Sequence, residues 1–273
     1  MNWKNLLVPV RDFAPEEARD FMATHQVGEY QLVDVRQPKE YEEGHLAGAI
    51  LIPIKDLPSR LTELAHDKPT LVYCAVGGRS KAAAQFLAGK DFASVYNLKG
   101  GIKAWQGGQA KGPEEAGLAL LTGEEDFEDG LSLAYAMEDG LQQFYRILAD
   151  RTADPEQQHL YQRLAGFEDL HKARLMDEFS QTHGRDLLLS GDRADIMEGG
   201  RGIEELLARA DALVRTRYDI LELAMTLEIQ AMDLYSRMAR RSLNQDTAGL
   251  FLRMADEENQ HLAFLAVEMD RLL

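Results

Sequence analysis

The chain of 273 residues is 45% hydrophobic and 28% charged, which is enough apolar content for two ordinary domains. No stretch approaches the run of about 18 apolar residues that a membrane span requires, and the first residues lack the apolar core of a signal peptide. We therefore expect a soluble, cytoplasmic protein that does not contact a membrane. Cys74 is the single cysteine, so an intrachain disulfide and a four-cysteine metal site are both excluded.

The charge is unevenly distributed along the chain. Residues 1–110 carry equal numbers of basic and acidic side chains, so the whole net charge of −16 lies in residues 111–273. A surface this acidic argues against binding to a nucleic-acid backbone, and the contrast indicates two modules of different type. Between them lies a segment rich in glycine, proline and charge. We predict a first domain over 1–108, a linker over 109–126 and a second domain over 127–273.

In the first domain, short β-branched or apolar runs alternate with helical patterns. Such alternation predicts an α/β domain with a mostly parallel sheet flanked by helices. The predicted strands are 30–36, 49–52, 69–75 and 94–98, and the predicted helices are 15–25, 54–65 and 79–89.

The clearest chemical signal of the first domain is at the end of the strand over 69–75. Cys74 stands there, followed by a glycine-containing loop that opens a helix. Backbone N–H groups of such a loop and the positive end of the helix stabilise an anion, and Arg79 adds a positive charge. These effects lower the pKa of a thiol and supply a nucleophilic thiolate. A buried structural cysteine is the alternative, but it requires neither two glycines nor an arginine. The predicted substrate-binding loop consists of Ala75, Val76, Gly77, Gly78 and Ser80, with Cys74 and Arg79 as catalytic residues.

Three stretches of residues 1–108 resemble the rhodanese family of sulfurtransferases. They are Val33-Asp34-Val35-Arg36 with Tyr41-Glu42-Glu43-Gly44-His45-Leu46-Ala47-Gly48-Ala49, the loop from Cys74 to Ser80, and Asn97-Leu98-Lys99-Gly100-Gly101-Ile102-Lys103-Ala104-Trp105. The resemblance implies that Cys74 accepts a sulfane sulfur as a persulfide, cradled by the loop through Arg79. It also implies a small-molecule sulfur donor, which is thiosulfate or another sulfane-sulfur compound, and an acceptor, which is either a thiol or cyanide. Asp34, Arg36 and His45 are expected to be structural parts of the signature.

The length of the loop distinguishes sulfur transfer from a related activity. Cys74 and Arg79 lie five positions apart, which is similar to the short loop of the sulfur-transferring members. The related arsenate-reductase and dual-specificity phosphatase branch has a loop one residue longer, which suits its larger tetrahedral anion. The resemblance therefore favours sulfur transfer over phosphatase action.

The second domain has the periodicity of long helices, predicted over 127–151, 155–183, 214–241 and 245–272. Shifting the sequence by 90 residues aligns the first pair of helices with the second, and such an internal repeat constrains the fold. It superimposes four pairs of polar residues, which are Glu138 and Glu228, Tyr145 and Tyr235, Glu168 and Glu258, and His171 and His261.

The spacings place these residues at one level of a helix bundle. Each Glu-x-x-His pair shares a helix face, and the short turns between helices bring Glu138 and Glu228 to the height of the two pairs. So many buried acids in one place repel one another unless cations neutralise them. One Glu from each of two helices and Glu-x-x-His from each of the others is the ligand pattern of di-iron and di-manganese bundles. The alternative is that these residues decorate solvated helix faces, but two copies in register favour the metal site.

Residues 131–273 thus resemble the ferritin-like superfamily and, within it, the rubrerythrin-type di-iron domain. The resemblance implies two iron ions, with manganese as the alternative metal. It implies bridging carboxylates at Glu168 and Glu258, terminal carboxylates at Glu138 and Glu228, imidazole ligands at His171 and His261, and hydrogen-bond donors near the site at Tyr145 and Tyr235.

Two departures from the rubrerythrin pattern bear on the source of electrons. Rubrerythrins carry an extra glutamate three residues from one ligand, but Met225 and Ala231 flank Glu228 at that spacing. They also carry a four-cysteine rubredoxin module, which this chain cannot build. An oxidoreductase of this kind would need an external electron carrier. Bundle faces of this type often pair, so we expect a homodimer through the helical bundle.

Three hypotheses about function follow. In the first, the protein is a sulfurtransferase coupled to a di-iron domain. In the second, the di-iron site is the main catalyst and reduces peroxide or oxygen with electrons from the external carrier. In the third, the rhodanese-like domain alone is active and is carried on an iron-binding or dimerising scaffold.

Overall fold

The computed structural model describes residues 8–121, 123–124, 127–183, 197 and 202–272. They divide into two compact units, Met1–Glu114 and Glu115–Leu273. The start of the predicted linker belongs to the first unit, since Ala110 and His45 exchange backbone hydrogen bonds of 2.9 Å in an antiparallel bridge.

The first unit is built on a five-stranded parallel sheet, as the predicted fold class requires. The strands are β1 Arg11–Phe13, β2 Gln31–Asp34, β3 Ile50–Leu51, β4 Thr70–Tyr73 and β5 Val95–Leu98, in the order β1-β5-β4-β2-β3. The helices are α1 Pro15–Ala23, α2 Pro38–Glu43, α3 Gly78–Ala88 and α4 Gly101–Ala104. Strand β4 is central, so the residue that follows it emerges at the middle of the carboxyl edge of the sheet.

Alternate residues of the strands fill two cores, one on each face of the sheet. Val33 and Val72 lie in one apolar cluster, while Leu32 and Leu71 lie in the other. The strands are therefore buried on both sides, which is typical of a parallel sheet covered by helices.

The predicted helix over 54–65 is wrong. The structure has turns there and a short 3₁₀ helix at Leu61–Glu63. Pro58 lies in the middle of the predicted helix, where it lacks an N–H donor and disfavours helical geometry in the preceding residue. Leu57 and Leu64 are buried nevertheless, which explains the apolar spacing that suggested a helix. Strand β1 and helix α2 were not predicted, because each is too short to carry a periodic pattern.

A buried ion pair stabilises the end of strand β2. Arg36 donates hydrogen bonds to both carboxylate oxygens of Asp34, the shortest at 2.7 Å, and one of 2.6 Å to the carbonyl oxygen of Gly44. Both side chains are almost fully buried. The pair thus ties the strand to the turn after helix α2.

The second unit contains α5 Phe127–Arg151, α6 Pro155–His183, α7 Ile203–Leu213, α8 Arg217–Arg241 and α9 Gln245–Asp270. Helices α5 and α8 begin 90 residues apart and end 90 residues apart, as the repeat predicts. Helix α8 begins later than predicted because Thr216 and Asp219 cap it reciprocally. Helix α7 was not predicted.

The long helices form the bundle that the repeat requires. Helix α5 packs on α6 and α8 packs on α9, with further packing of α5 on α9 and of α6 on α8. Leu141, Phe144, Leu164 and Leu227 belong to its apolar core. Among the described residues, no helix has the length and apolar character needed to cross a membrane.

Replacing Arg36 with methionine would leave the buried Asp34 carboxylate without its partner. We expect the free energy of unfolding of the first unit to fall by about 3–5 kcal/mol. Neither tryptophan of the sequence lies in residues 115–273, and Trp105 lies in the first unit, so urea unfolding followed by tryptophan fluorescence measures this unit. The control is Arg11→Met, which removes an exposed ion pair with Glu17 and should cost at most about 1 kcal/mol. Equal losses in the two variants would contradict this account of the buried pair.

Candidate functional site

Cys74 follows strand β4 directly, and its loop leads into helix α3. Two glycines make the geometry of this loop feasible. Gly77 has φ of +94°, and a Cβ on Gly101, at φ +61°, would lie 2.2 Å from the carbonyl oxygen of Cys74. Without that Cβ, the start of helix α4 approaches the loop, and the N–H of Ile102 donates a 2.8 Å hydrogen bond to the same oxygen. A backbone hydrogen bond from α4 therefore fixes the start of the loop.

The thiol of Cys74 is buried and faces hydrogen-bond donors. The N–H of Gly77 donates to its Sγ at 3.1 Å, and the hydroxyl oxygen of Ser80 lies 3.4 Å from Sγ. Burial raises the pKa of Cys74. Hydrogen bonds from the Ser80 hydroxyl and from the backbone of Ser80, Val76 and Gly77 lower this pKa, and together they outweigh the effect of burial. The net result is a thiol pKa below its ordinary value, which makes a thiolate available.

Arg79 of α3 carries the positive charge of the loop. Its guanidinium makes two hydrogen bonds to the carboxylate of Glu40, at 2.9 and 2.7 Å, and it also interacts with Cys74. Arg79 lowers the pKa of Glu40 to about 2. The sequence pointed to Arg79 but missed Glu40, which precedes the recognised stretch beginning at Tyr41 by one residue.

Asp34, Arg36 and His45 serve the architecture around α2. His45 stacks on the ring of Tyr41, with the centroids 3.6 Å apart, and its Nδ1 lies 2.9 Å from the carbonyl oxygen of Tyr41. These contacts, with the Asp34–Arg36 pair, support the structural role expected of the three residues.

The second unit brings all six predicted metal ligands together inside the bundle. Ligand atoms of Glu138, Glu168 and His171 lie within 4.8 Å of one another, and so do those of Glu228, Glu258 and His261. The rings of the two histidines are parallel, with centroids 4.6 Å apart, so the two groups adjoin. The four carboxylates are buried.

Tyr235 and Glu138 connect the two copies of the repeat. The hydroxyl of Tyr235 donates a 2.9 Å hydrogen bond to Oε1 of Glu138, and Oε2 of Glu138 lies 2.9 Å from Nδ1 of His171. Tyr145, the repeat counterpart of Tyr235, is buried in the bundle core. Burial would lower the pKa of His171, but the hydrogen bond and charge of Glu138 raise it above its ordinary value.

The donor set fits divalent cations. Oε2 of Glu228 is buried and accepts no hydrogen bond from any described residue, and it lies 3.5 Å from Nδ1 of His261. Four buried carboxylates with two imidazoles leave an excess of negative charge that a low-dielectric interior does not tolerate alone. Carboxylate oxygens and imidazole nitrogens are ligands that iron and manganese accept. Each group of three residues offers such a set.

Two further residues at this site escaped the sequence analysis. Oε2 of Glu257 lies 3.6 Å from Nε2 of His171, and the ring of Phe167 lies 5.2 Å from that of His261. The 90-residue shift pairs Glu257 with Phe167. Their difference was visible in the sequence, but only the structure shows that both contact a histidine ligand.

The fold and the two sites define a class of protein in which an α/β domain with a buried, hydrogen-bonded thiol is joined to a ferritin-like bundle. Residues 14–107 match the family model described as Rhodanese-like domain, and residues 219–272, which span most of α8 and all of α9, match the one described as Rubrerythrin. The protein named Sulfurtransferase from Allochromatium vinosum is 38% identical over 74 residues, which are 27% of this chain and 69% of that relative. The chain belongs to the rhodanese family through its first unit and carries a rubrerythrin domain in its second, as the sequence predicted.

Other proteins are similar to about a third of the chain. YqhL of Bacillus subtilis is 48% identical over 77 residues, which cover 28% of this chain and 61% of that protein. The Rhodanese-like/PpiC domain-containing protein 12 of Arabidopsis thaliana is 39% identical over 102 residues, covering 36% and 34%. The chain thus spans less than two thirds of the length of these two relatives. The crystal structure of a rhodanese-related protein from Thermoplasma volcanium is 34% identical, with a TM-score of 0.31, covering 35% of this chain and 89% of that one.

Proposed function

We propose that the protein is a sulfurtransferase in which Cys74 carries the transferred sulfur as a persulfide. The observation that carries this proposal is the lowered pKa of a thiol that accepts hydrogen bonds from its own loop, beside Arg79. Membership of the rhodanese family and the similarity to the protein named Sulfurtransferase support it.

Thiosulfate is the donor that we propose for the first half of the reaction. The Cys74 thiolate attacks the outer sulfur of thiosulfate, a new S–S bond forms, and sulfite leaves with the electron pair of the bond that breaks. Arg79 attracts the dianionic donor, and the N–H of Gly77 stabilises the negative charge on sulfur. The persulfide anion that results accepts hydrogen bonds from the same N–H groups and the Ser80 hydroxyl.

The second half needs an acceptor from outside the chain. Because Cys74 is the single cysteine, no second thiol of the chain can resolve the persulfide. An external thiolate attacks the outer sulfur of the persulfide and leaves as a new persulfide, which restores the Cys74 thiolate. Cyanide can replace the thiol and leaves as thiocyanate.

We also propose that the second unit holds two iron or manganese ions. The buried Oε2 of Glu228 and the rubrerythrin match favour this second function. Glu138, Glu168 and His171 would hold one ion, and Glu228, Glu258 and His261 would hold the other. Bound iron would supply redox chemistry toward peroxide or oxygen. The chain's own part is to hold the ligands in an apolar interior, while electrons come from a separate carrier.

The Cys74→Ser variant tests the sulfur-transfer proposal. We expect sulfite release from thiosulfate to fall to the background rate, because a serine hydroxyl is not ionised near neutral pH. The wild-type chain incubated with thiosulfate should gain the mass of one sulfur atom at Cys74. Metal content should be the same in both proteins. Sulfite release that persists in the variant would show that another group carries the sulfur.

The metal proposal is tested with the double variant Glu168→Gln, Glu258→Gln. We expect about two metal ions per wild-type chain purified without air and fewer than one in the variant, because each group of ligands loses one carboxylate charge. Elemental analysis measures the content. The control is Glu156→Gln with Asp177→Asn, which removes two exposed acids from the same unit and should keep the metal. Equal metal content in the two double variants would contradict the assignment, and a metal-free wild type would leave the bundle as a scaffold.

A further inference from the structure

Ser80 has one hydroxyl proton and three acceptors within reach. Its Oγ lies 2.6 Å from Oδ1 of Asn97, 3.2 Å from the carbonyl oxygen of Gly77 and 3.4 Å from Sγ of Cys74. Ser80 is fully buried and Asn97 nearly so, so water does not supply a further donor. The shortest contact is with Asn97, which therefore competes with the sulfur for the proton.

Asp12 determines which end of the Asn97 amide faces Ser80. Nδ2 of Asn97 donates a 2.8 Å hydrogen bond to Oδ1 of Asp12, whose other oxygen accepts a 2.6 Å hydrogen bond from Nζ of Lys81. The hydrogen bonds of Lys81 and Asn97 lower the pKa of Asp12, so its carboxylate is ionised and can only accept. The nitrogen of Asn97 must then face Asp12, and its oxygen must face Ser80.

We propose that Asn97 and Asp12 are positioning residues for the Cys74 sulfur, because they set the direction of the Ser80 proton. This inference rests on the proposed sulfur transfer. With a neutral thiol, Ser80 donates to Asn97 and its lone pair faces the S–H group. With a thiolate or persulfide anion, Ser80 turns its proton to sulfur and gives up the bond to Asn97. Neither Asn97 nor Asp12 contacts Cys74 itself in this arrangement.

This competition for the Ser80 proton affects both the stability and the nucleophilicity of the Cys74 thiolate. A donor that belonged to the sulfur alone would stabilise the thiolate strongly, but the nucleophilicity of a thiolate falls as the pKa of its thiol falls. A proton shared between Asn97 and sulfur limits that stabilisation. Two ion pairs lie next to this hydrogen-bond network, Lys81 with Asp12 and Arg79 with Glu40. None of the variants described next replaces a residue of either pair.

The test measures the alkylation of Cys74 by iodoacetamide against pH in the full chain, with the variants Asn97→Leu, Ser80→Ala and their combination. Ser80→Ala should raise the pH midpoint, since a donor to the thiolate is lost. Asn97→Leu should lower it by about one pH unit, since the nearest competitor of sulfur for the Ser80 proton is lost and only the weaker contact with the Gly77 carbonyl oxygen remains. The limiting rate at high pH should fall about threefold. The combined variant should match Ser80→Ala alone.

The two single variants should shift the pH midpoint in opposite directions, which a merely structural role of Asn97 does not predict. An unchanged or raised midpoint in Asn97→Leu, or an effect of this substitution that persists in the Ser80→Ala background, would overturn the proposal. The control is Gln31→Leu, which removes a buried amide with a 2.8 Å hydrogen bond to Thr70 at the other end of the strands and should not move the midpoint. Asn97→Ala gives the same test if leucine prevents folding. Because alkylation requires only a thiolate, the result is independent of whether wild-type protein releases sulfite.

A different observation concerns the two histidines of the bundle. Each presents Nδ1 to its own carboxylates, but their other sides differ. Nε2 of His171 faces Glu257, which also pairs with Arg174, whereas His261 faces the ring of Phe167. Glu257 and Phe167 occupy the same position of the repeat, so the symmetry of the ligands is broken directly behind them.

We infer that Glu257 makes the two halves of the proposed metal centre unequal, so that the half with His171 binds its ion first. The inference rests on the proposed metal site. A carboxylate on the far ring nitrogen of a histidine ligand fixes the ring and increases the basicity of the ligating nitrogen. Among the described residues, the neighbour of His261 at this repeat position is Phe167, which packs on the ring but cannot accept its proton. Phe167 therefore does not increase the basicity of the ligating nitrogen.

Titration of the chelator-treated full chain with Mn²⁺ under argon, followed by calorimetry, tests this inference. We expect two binding steps in the wild type, with the first weakened about 10–100-fold by Glu257→Gln. The control is Asp256→Asn, which removes the neighbouring charge of the same helix and should change neither step. Two equal sites in the wild type, or equal effects of the two variants, would overturn the inference. No Mn²⁺ binding at all would overturn the metal site itself, which is a separate result.

Discussion

Four carboxylates inside an apolar helix bundle impose the constraint on which the rest of the second unit depends. Isolated buried charges of one sign oppose folding unless cations or donors neutralise them. The described donors meet part of this need, since Tyr235 and His171 both contact Glu138. They leave Oε2 of Glu228 without a hydrogen bond. A pair of divalent cations would satisfy the remaining oxygens and would join four helices at one level, so metal binding and folding of this unit would be linked.

The first unit places a single sulfur among hydrogen-bond donors. Backbone N–H groups and the Ser80 hydroxyl donate to Sγ of Cys74, and the Arg79 guanidinium interacts with it. Gly77 and Gly101 permit the close approach of backbone that this arrangement requires. Two of these donors also have other acceptors, because Ser80 donates a hydrogen bond to Asn97 and Arg79 pairs with Glu40. Such sharing keeps a thiolate available while preserving its nucleophilicity.

Periodic and local features of the structure followed from the sequence, whereas contacts between distant segments did not. The bounds of α5 and α6 were predicted to the residue, since long amphipathic helices repeat their pattern many times. The register of the repeat likewise brought all six predicted ligands together. Helix α7 is short and was missed, and an apolar spacing broken by Pro58 was misread as a helix. The partnership of Glu40 with Arg79 depends on how two loops meet, which no periodicity reports.

The most direct test of this account is the thermal unfolding of the chelator-treated chain with and without Mn²⁺, followed by the helical signal in circular dichroism. If buried carboxylates require cations, the midpoint should rise with Mn²⁺, and beyond two ions per chain it should continue to rise with the logarithm of the free ion concentration. Mass action gives a stabilisation of about 2.7 kcal/mol at a hundredfold excess over Kd. A midpoint that does not change at saturating concentrations would show that the bundle tolerates its acids without metal, which contradicts the central claim.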